Sequence, residues 1–492
     1  LLIWSAVIYT SAQATGRRMR VTVGVRRQHL VQALAQCAFL LYWGWFWQPV
    51  YDAAPLIGAQ LIFAYAFDML LCWSRRDTYT LGFGPVPVIF SINLFLWFAN
   101  DWFYLQFLLI GLGFTAKELI RWNKHGEHVH IFNPSSFPLA VFSLALILTG
   151  TSDITLGQEI ATAQFFPPHV YLVLFLVALP GQYLFGVASM TMSAVVVTYL
   201  FGLIYFAVTG VYFFYDSYVP IAVFLGMHLL FTDPSTAPRT DLGRLMFGAF
   251  YGLSTVALYA LLSGAGVPQF YDKLLQVPVL NLSIQLLDRL ARSTRFGSLT
   301  AAFRGRPTAG RWSNLAHTAL WGVVFLLMSA AQGVGDRHPG QWVPFWQTAC
   351  AEGRSSACRY LADMQSRFCD SGSGWACNES GVLDAALAAR GEGERRFGRT
   401  DAGGAFARGC DLGYASACRN LTRLATASPP VAFDRAPPTL EDFPILLRGT
   451  KGPIRDRSPK ALLARACSQG WPDTCARPLP ARDDDNGVLR RE

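Results

Sequence analysis

Charge is what this chain has least of. Only 15% of its 492 residues are Asp, Glu, Lys or Arg, against about 25% in an ordinary soluble domain. With 52% hydrophobic and 14% aromatic residues, that scarcity excludes a fully water-exposed surface. The net charge of +9 does not announce nucleic acid, because the basic stripe with interleaved aromatics is missing and the basic residues stand in short clusters between apolar runs. A phosphate-cradling glycine loop, a Ser-His-Asp order and a metal-ligand cluster are also missing, so neither an independent catalytic residue nor a metal is expected. Cysteine is nearly absent from the first 349 residues: Cys37 and Cys72 read as small hydrophobes, and the other eight lie in the tail. Leu1 to Ala14 lacks the basic lead-in and full apolar length of a signal peptide. It reads as the end of a clipped segment or as an upstream extension, with Met19 the alternative start.

What is present is a series of apolar runs of membrane-crossing length. A helix rising about 1.5 Å per residue needs about 20 residues to cross about 30 Å of hydrocarbon. Such runs fall near 29–48, 56–73, 82–99, 102–119, 134–150, 169–187, 190–208, 217–231, 245–263, 270–289 and 313–331, and the lipid bilayer is the expected partner. If they alternate from a cytoplasmic start, Arg17, Arg18, Arg26, Arg75, Arg76, Arg121, Arg239, Arg289, Arg304 and Arg311 share one side. Asp52, Asp101, Asp153, Glu159 and Asp216 share the other. Basic loops stay inside, so the last run delivers the tail outside. The weakest run is 270–289, interrupted by Asp272, Lys273 and Pro278.

The tail repeats one spacing, C-x2-G-x4-C: Cys350 to Cys358, Cys369 to Cys377, Cys410 to Cys418 and Cys467 to Cys475. Gly in the fourth position can take the left-handed conformation that ends a helix, and the second Cys then opens the next helix. Antiparallel neighbours bring the sulfurs within bonding distance, and closing so short a loop contributes about 2.5 kcal/mol per bridge in the chain-entropy model. Zinc is the rival, but its sites favour two to four residues between paired cysteines, not seven. The pattern resembles the Sel-like branch of tetratricopeptide repeats, most closely over Ala405 to Leu421. That resemblance implies a concave helical surface that binds a protein partner. The intervals between pairs depart from a uniform period, and Pro429, Pro430, Pro437 and Pro438 mark a loop within the array.

Two turn motifs interrupt the apolar landscape, His130-Ile-Phe-Asn-Pro-Ser-Ser-Phe137 and Phe231-Thr-Asp-Pro-Ser-Thr-Ala-Pro-Arg-Thr240. Each places a capping side chain ahead of Pro just before an expected crossing, leaving free N–H groups that can hold an anionic group or line an ion path. Asn133, Ser135, Asp233 and Ser235 are therefore candidate binding residues, plain N-capping being the alternative. Asp68 and His228 are candidate ion-path residues, since a charge within the membrane is costly. For Asp68 the alternative is an ion pair with Arg75 and Arg76. For His228 it is a helix–helix hydrogen bond.

In this order the two motifs resemble those of the NqrB/RnfD family of membrane subunits in sodium- or proton-coupled respiratory complexes, over residues 29 to about 297. The flanks Asp241-Leu-Gly-Arg244 and Leu280 to Arg289 carry the resemblance further. It implies a ten-span core related to urea and ammonium channels; with the extra span and the disulfide-stapled helical repeat domain as additions to it, the expected fold is all-α, a polytopic transmembrane helical bundle. The divisions are an N-terminal basic segment 1–28, the membrane domain 29–297, a basic linker 298–312, the added helix 313–331 and an extracytoplasmic repeat region 332–492. The resemblance also implies FMN or riboflavin, a place in an ion-translocating oxidoreductase complex, and a bacterial inner membrane with the tail periplasmic. The family's Ser-Gly-Ala-Thr attachment sequence is reduced here to Ala161-Thr162, so the covalent motif is absent and Thr162 alone stands for it. That departure fits the UnbU-type branch associated with enediyne clusters. Electron transport or coupled ion movement is the leading expectation. The alternatives are a permease without redox chemistry and a membrane-anchored repeat scaffold.

Overall fold

The computed structural model describes residues 1–124, 126–165, 167–293, 311–331, 338–341, 343–354, 356–370, 372–389, 401–430, 459–468 and 475. Of the described residues 75% are helix and 4% strand, so helix packing decides the architecture. Two compact units emerge, residues 1–204 with 218–335, and residues 205–217 with 336–492. The basic run through Arg304, the prolines 437 and 438, and Gly470 lie outside the described residues.

In the first unit the helices are α1 (Leu2–Thr15), α2 (Arg27–Phe46), α3 (Ala54–Trp73), α4 (Pro85–Asn93), α5 (Tyr104–Leu119), α6 (Ser136–Thr149), α7 (Gly157–Ala163), α8 (Val170–Phe185), α9 (Ala188–Thr209), α10 (Ile221–Leu225), α11 (Asp241–Gly264), α12 (Gln276–Arg292) and α13 (Arg311–Ala330). Two small sheets join them: β1 (Arg20–Val23) parallel to β2 (Thr78–Leu81), and the hairpin of β3 (Arg121–Lys124) with β4 (Glu127–His130). Among the described residues, four helices are long and apolar enough to cross a membrane: α3, α9, α11 and residues Trp312–Ala330 of α13. Each turns large apolar side chains outward, such as Ile62, Ile204, Leu261 and Leu326. A soluble fold would bury such faces, so they suggest membrane association.

The stretches 82–99 and 217–231 are not continuous crossings. Helix α4 has 9 residues, about 14 Å of rise. The chain then unwinds through Leu94–Phe98, which is nonetheless buried. Helix α10 runs 5 residues and continues as a π turn over Gly226–Leu230, about 15 Å in all. The reason lies in donors from elsewhere. Gln164 Nε2 donates to the Leu94 carbonyl at 2.5 Å and Gln106 Nε2 to the Leu96 carbonyl at 3.0 Å. Leu156 and Ala99 N–H groups complete an irregular ladder with Trp97 and Ile154. At the end of the π turn, Asn133 Nδ2 meets the Leu230 carbonyl at 3.0 Å and Ser91 Oγ the Leu229 carbonyl at 3.4 Å. Buried backbone outside a helix needs such partners. The run 270–289 is likewise split, into a 3₁₀ turn Gln269–Lys273 and α12.

Helix α11 lies close against α9 because Gly248 and Gly252 leave room. A Cβ on Gly248 would strike the Met190 carbonyl oxygen, and one on Gly252 would come within 2.7 Å of that of Ala194. Such small-residue faces are how helices pack closely in lipid.

In the second unit, α14 (Val343–Ala351), α15 (Ala357–Asp370), α16 (Gly374–Ala389), α17 (Ala402–Asp411) and α18 (Ala415–Ala425) pack each on the next, and α19 (Pro459–Ser468) carries Cys467. All four expected bridges are present: Cys350–Cys358, Cys369–Cys377, Cys410–Cys418 and Cys467–Cys475. Gly353, Gly372 and Gly413 take φ of +69°, +96° and +82°, the left-handed turn that ends each first helix. The first two bridges share α15, which carries Cys358 near its start and Cys369 at its end, so they staple three consecutive helices. Four disulfides fit an oxidising, extracytoplasmic compartment.

Residues 205–217 belong to this unit. Arg354 donates to the Gly210 carbonyl at 2.6 Å, Tyr360 to that of Phe213 at 2.8 Å, and Gln341 to that of Asp216 at 3.1 Å. Tyr212 packs on His338 and Phe345.

Candidate functional site

The two proline turns lie together, clasped by groups far away in sequence. Asn133 Oδ1 accepts from the N–H groups of Ser135 and Ser136 at 2.9 and 3.1 Å, and from Ser135 Oγ at 2.7 Å. Its backbone N–H donates to Asn281 Oδ1 at 3.1 Å, while Asn281 Nδ2 reaches the Thr236 carbonyl at 3.3 Å. One asparagine on α12 thus ties the Asn-Pro turn to the Asp-Pro turn. Asp233 Oδ1 accepts from the Ser235 N–H at 3.0 Å, and Oδ2 faces Thr236 Oγ1 at 3.2 Å and His130 Nε2 at 3.3 Å. Lys124, on the hairpin, buries its ammonium over the same turn and donates to the carbonyls of Ala237 at 2.7 Å and Ser235 at 3.2 Å.

This corrects the expectation of free N–H groups. Those of Ser135, Ser136 and Ser235 are engaged by Asn133 and Asp233 themselves, so the turns cap locally instead of opening toward an anion. The Asp-Pro turn also does not start the long helix directly. It caps a 3₁₀ turn, Pro234–Thr236, and α11 is begun by Thr240, whose Oγ1 accepts from the Gly243 N–H at 3.1 Å. Asp288 fixes Thr240 in turn, through the Thr240 N–H at 2.9 Å and hydroxyl at 2.8 Å.

The cluster's charges are mutually adjusted. Burial works to raise the Asp233 carboxyl, but hydrogen bonds and charge from His130, with Ser235 and Thr236, outweigh it and hold the group below the usual carboxylate value. Burial pushes the Lys124 ammonium below its ordinary value, against the pull of Asp288. Comparison with family models, with curated proteins and with solved structures returns no match for this chain.

The other candidates separate. Asp68 does not pair with Arg75 or Arg76. Its partner is Lys117 of α5 at 3.5 Å, and both arginines go to Glu118, Arg76 at 2.6 Å and Arg75 at 3.5 Å. His228 makes no helix–helix bond through Nδ1, which meets the Phe224 carbonyl of its own helix at 2.7 Å. Thr162 donates its hydroxyl to the Gln158 carbonyl at 2.9 Å. No Lys or Arg occurs between residues 151 and 169, where Asp153 and Glu159 would repel a phosphate. These residues do not fit a phosphate-linked flavin. Among the described residues, no cluster of three or more His, Cys, Asp or Glu could hold a metal.

Several buried polar groups escaped the sequence reading. Asp272 and Lys273, read in the sequence only as interrupting the run 270–289, are a buried pair at 3.6 Å beside Tyr251, whose hydroxyl donates to the Lys273 carbonyl at 3.1 Å. Gln60 and Asn93 bond at 2.6 Å, Gln36 and Ser91 at 2.7 Å. Their signal was amide side chains inside apolar runs, which lipid does not tolerate without partners.

Proposed function

We propose that the first unit is a translocating membrane subunit of the NqrB/RnfD kind, moving a small ion or polar solute across a bacterial inner membrane. The second unit then lies outside and binds a protein partner through Sel-like helix pairs. The observation that carries this reading is the pair of interrupted helices, α4 and α10, joined where Ser91 meets the Leu229 carbonyl. Unwound backbone at membrane depth persists only where protein covers it or a polar path runs beside it, and transporters build their sites at such breaks. Gln36, Gln60, Asn93, Gln182 and His228 gather buried polarity in this unit. Ten crossings in the core and an eleventh leading to the tail give the basic loops a common side, as the charge rule requires.

Translocation without redox chemistry of its own is favoured over flavin-based electron transfer by the poor fit at Thr162. The test is reconstitution in liposomes with flux of sodium, protons and small neutral solutes measured separately. Flux abolished by Asp68→Asn or His228→Ala supports the reading. Wild-type protein that passes none of these species would refute it. Flavin extracted from native membranes in a one-to-one ratio would restore the redox function. Labelling of Cys introduced at Arg121, compared with tail cysteines after mild reduction, tests the sidedness.

A further inference from the structure

A cavity of about 10 Å³, room for one water molecule, lies among Gln32, Gln182, Phe185, His228 and Thr232. A wholly apolar cavity of this size would stay dry, but here Gln32, Gln182, His228 and Thr232 share the lining with apolar side chains. His228 Nδ1 sits 2.7 Å from the Phe224 carbonyl oxygen, which only an N–H can satisfy. Nδ1 therefore carries the ring proton, and Nε2 is left a bare acceptor. Among the described residues Nε2 has no hydrogen-bond partner, nor have Nε2 and Oε1 of Gln182, and both residues are only 2% exposed. Thr232 donates its hydroxyl to the His228 carbonyl at 2.9 Å, so its oxygen lone pairs still face an acceptor's role. Two residues that line one water-sized space thus carry three unmet polar atoms, an arrangement that a water molecule can complete. It can donate to His228 Nε2 and Gln182 Oε1, and accept from Gln182 Nε2.

We propose that this chamber is a proton station, in which a water bridges His228 and Gln182 and His228 Nε2 takes up and releases a translocated proton. The proposal rests on the translocation reading above and names its species. Hydronium reaching the chamber gives its proton to Nε2, leaving water and an imidazolium that keeps its Nδ1–H bond to Phe224. Release to the next water reverses the transfer, and no electrons move. The cavity suits a proton better than a hard metal cation, which takes six or more oxygen ligands, whereas its strongest acceptor here is a ring nitrogen. Among the described residues lining the cavity, His228 is the one titratable side chain, and neither a carboxylate nor a cation stands beside it. Around the ring pack Phe224 at 4.0 Å, Trp321 at 5.9 Å and Phe175 at 6.4 Å between centroids. An imidazolium there has aromatic faces but no counter-ion, which suits transfer and not storage.

The test uses the full-length protein in lipid nanodiscs and in liposomes. In nanodiscs with ¹⁵N-labelled histidine, magnetisation transfer from water to Nε2, assigned by His228→Asn, is expected in the wild type and lost in Gln182→Leu. Its absence from the wild type shows the chamber dry and overturns the proposal. In liposomes holding a pH-sensitive dye, the wild type should collapse an imposed pH gradient at least tenfold faster than His228→Asn or Gln182→Leu. Gln182→Met replaces the leucine variant if that protein does not fold. Equal proton rates in wild type and variants overturn the station while translocation stands. A water signal without flux of any ion in the wild type removes the translocation reading and the proton step with it.

Discussion

Replacing Gln164 by Leu keeps the side-chain volume but leaves the Leu94 carbonyl without its 2.5 Å donor in a place where water does not reach. An unmet buried carbonyl costs about 1–3 kcal/mol. The substitution also removes Gln164 Oε1, itself buried without a hydrogen-bond partner, which offsets part of that. A net loss of about 1–2 kcal/mol is expected. Gln106→Leu should act alike through the Leu96 carbonyl. Because the two carbonyls stand two residues apart in one unwound stretch, the double variant should depart from the sum of the singles. Gln158→Leu, on the exposed side of α7, is the control and should change stability by less than about 0.5 kcal/mol. The assay is thermal or denaturant unfolding of detergent-solubilised protein with all variants in one lipid–detergent mixture. If Gln164→Leu proves as stable as the control, the stretch after α4 does not lean on these glutamines. The account of an interrupted helix would then be wrong.

Three further outcomes follow from the packing. Gly248→Val should drive a side chain into the Met190 backbone and cost about 1–3 kcal/mol through separation of α9 and α11, read as a lower unfolding midpoint, with Gly264→Val, where a Cβ meets open space, nearly silent. Burial holds the His338 imidazole down to about 3 from its ordinary 6.5. The unfolded chain therefore binds a proton below about pH 6.5 that the folded unit refuses, and stability present above that pH is lost on acidification by up to about 1.4 kcal/mol per unit. Hydrogen exchange of residues 338–370, corrected for intrinsic rates, should show this loss between pH 6.5 and 4.5, and less of it in His338→Asn, whose amide oxygen can still accept from the Gly340 N–H as Nδ1 does. The double variant Cys410→Ser, Cys418→Ser should loosen the second unit by about 2.5 kcal/mol in denaturant titration, whereas Cys37→Ser, a free thiol, should not.

The cysteine spacing was fully legible because a short disulfide loop is a local object: two thiols, one left-handed glycine and two helix ends within a few residues. Apolar composition likewise announced the long helices, since lipid-facing side chains are selected one by one. The breaks in α4 and α10 were not legible. A hydropathy window sees Leu94 to Phe98 as oily as its neighbours, and what permits the helix to end there is Gln164, 70 residues away. The partner of Asp68 was misread for the same reason, because proximity in sequence favoured Arg75 and Arg76 while packing of α5 supplied Lys117 and drew the arginines to Glu118. The proline turns were visible in the sequence as turns, but the groups that engage them, Lys124, Asn281 and Asp288, come from other segments.

The loop 205–217 has a practical corollary for anyone dissecting the molecule. Val211, Tyr212 and Phe214 are at most 5% exposed, shielded by residues that a truncation after 331 would discard. A clipped chain would thus display fresh aromatic surface, and its failure could not be charged to a lost partner. The excised tail, made by itself, would equally miss one of its own walls. A cut in the interval between α16 and α17 would leave this nest of rings whole, and would make the more informative experiment.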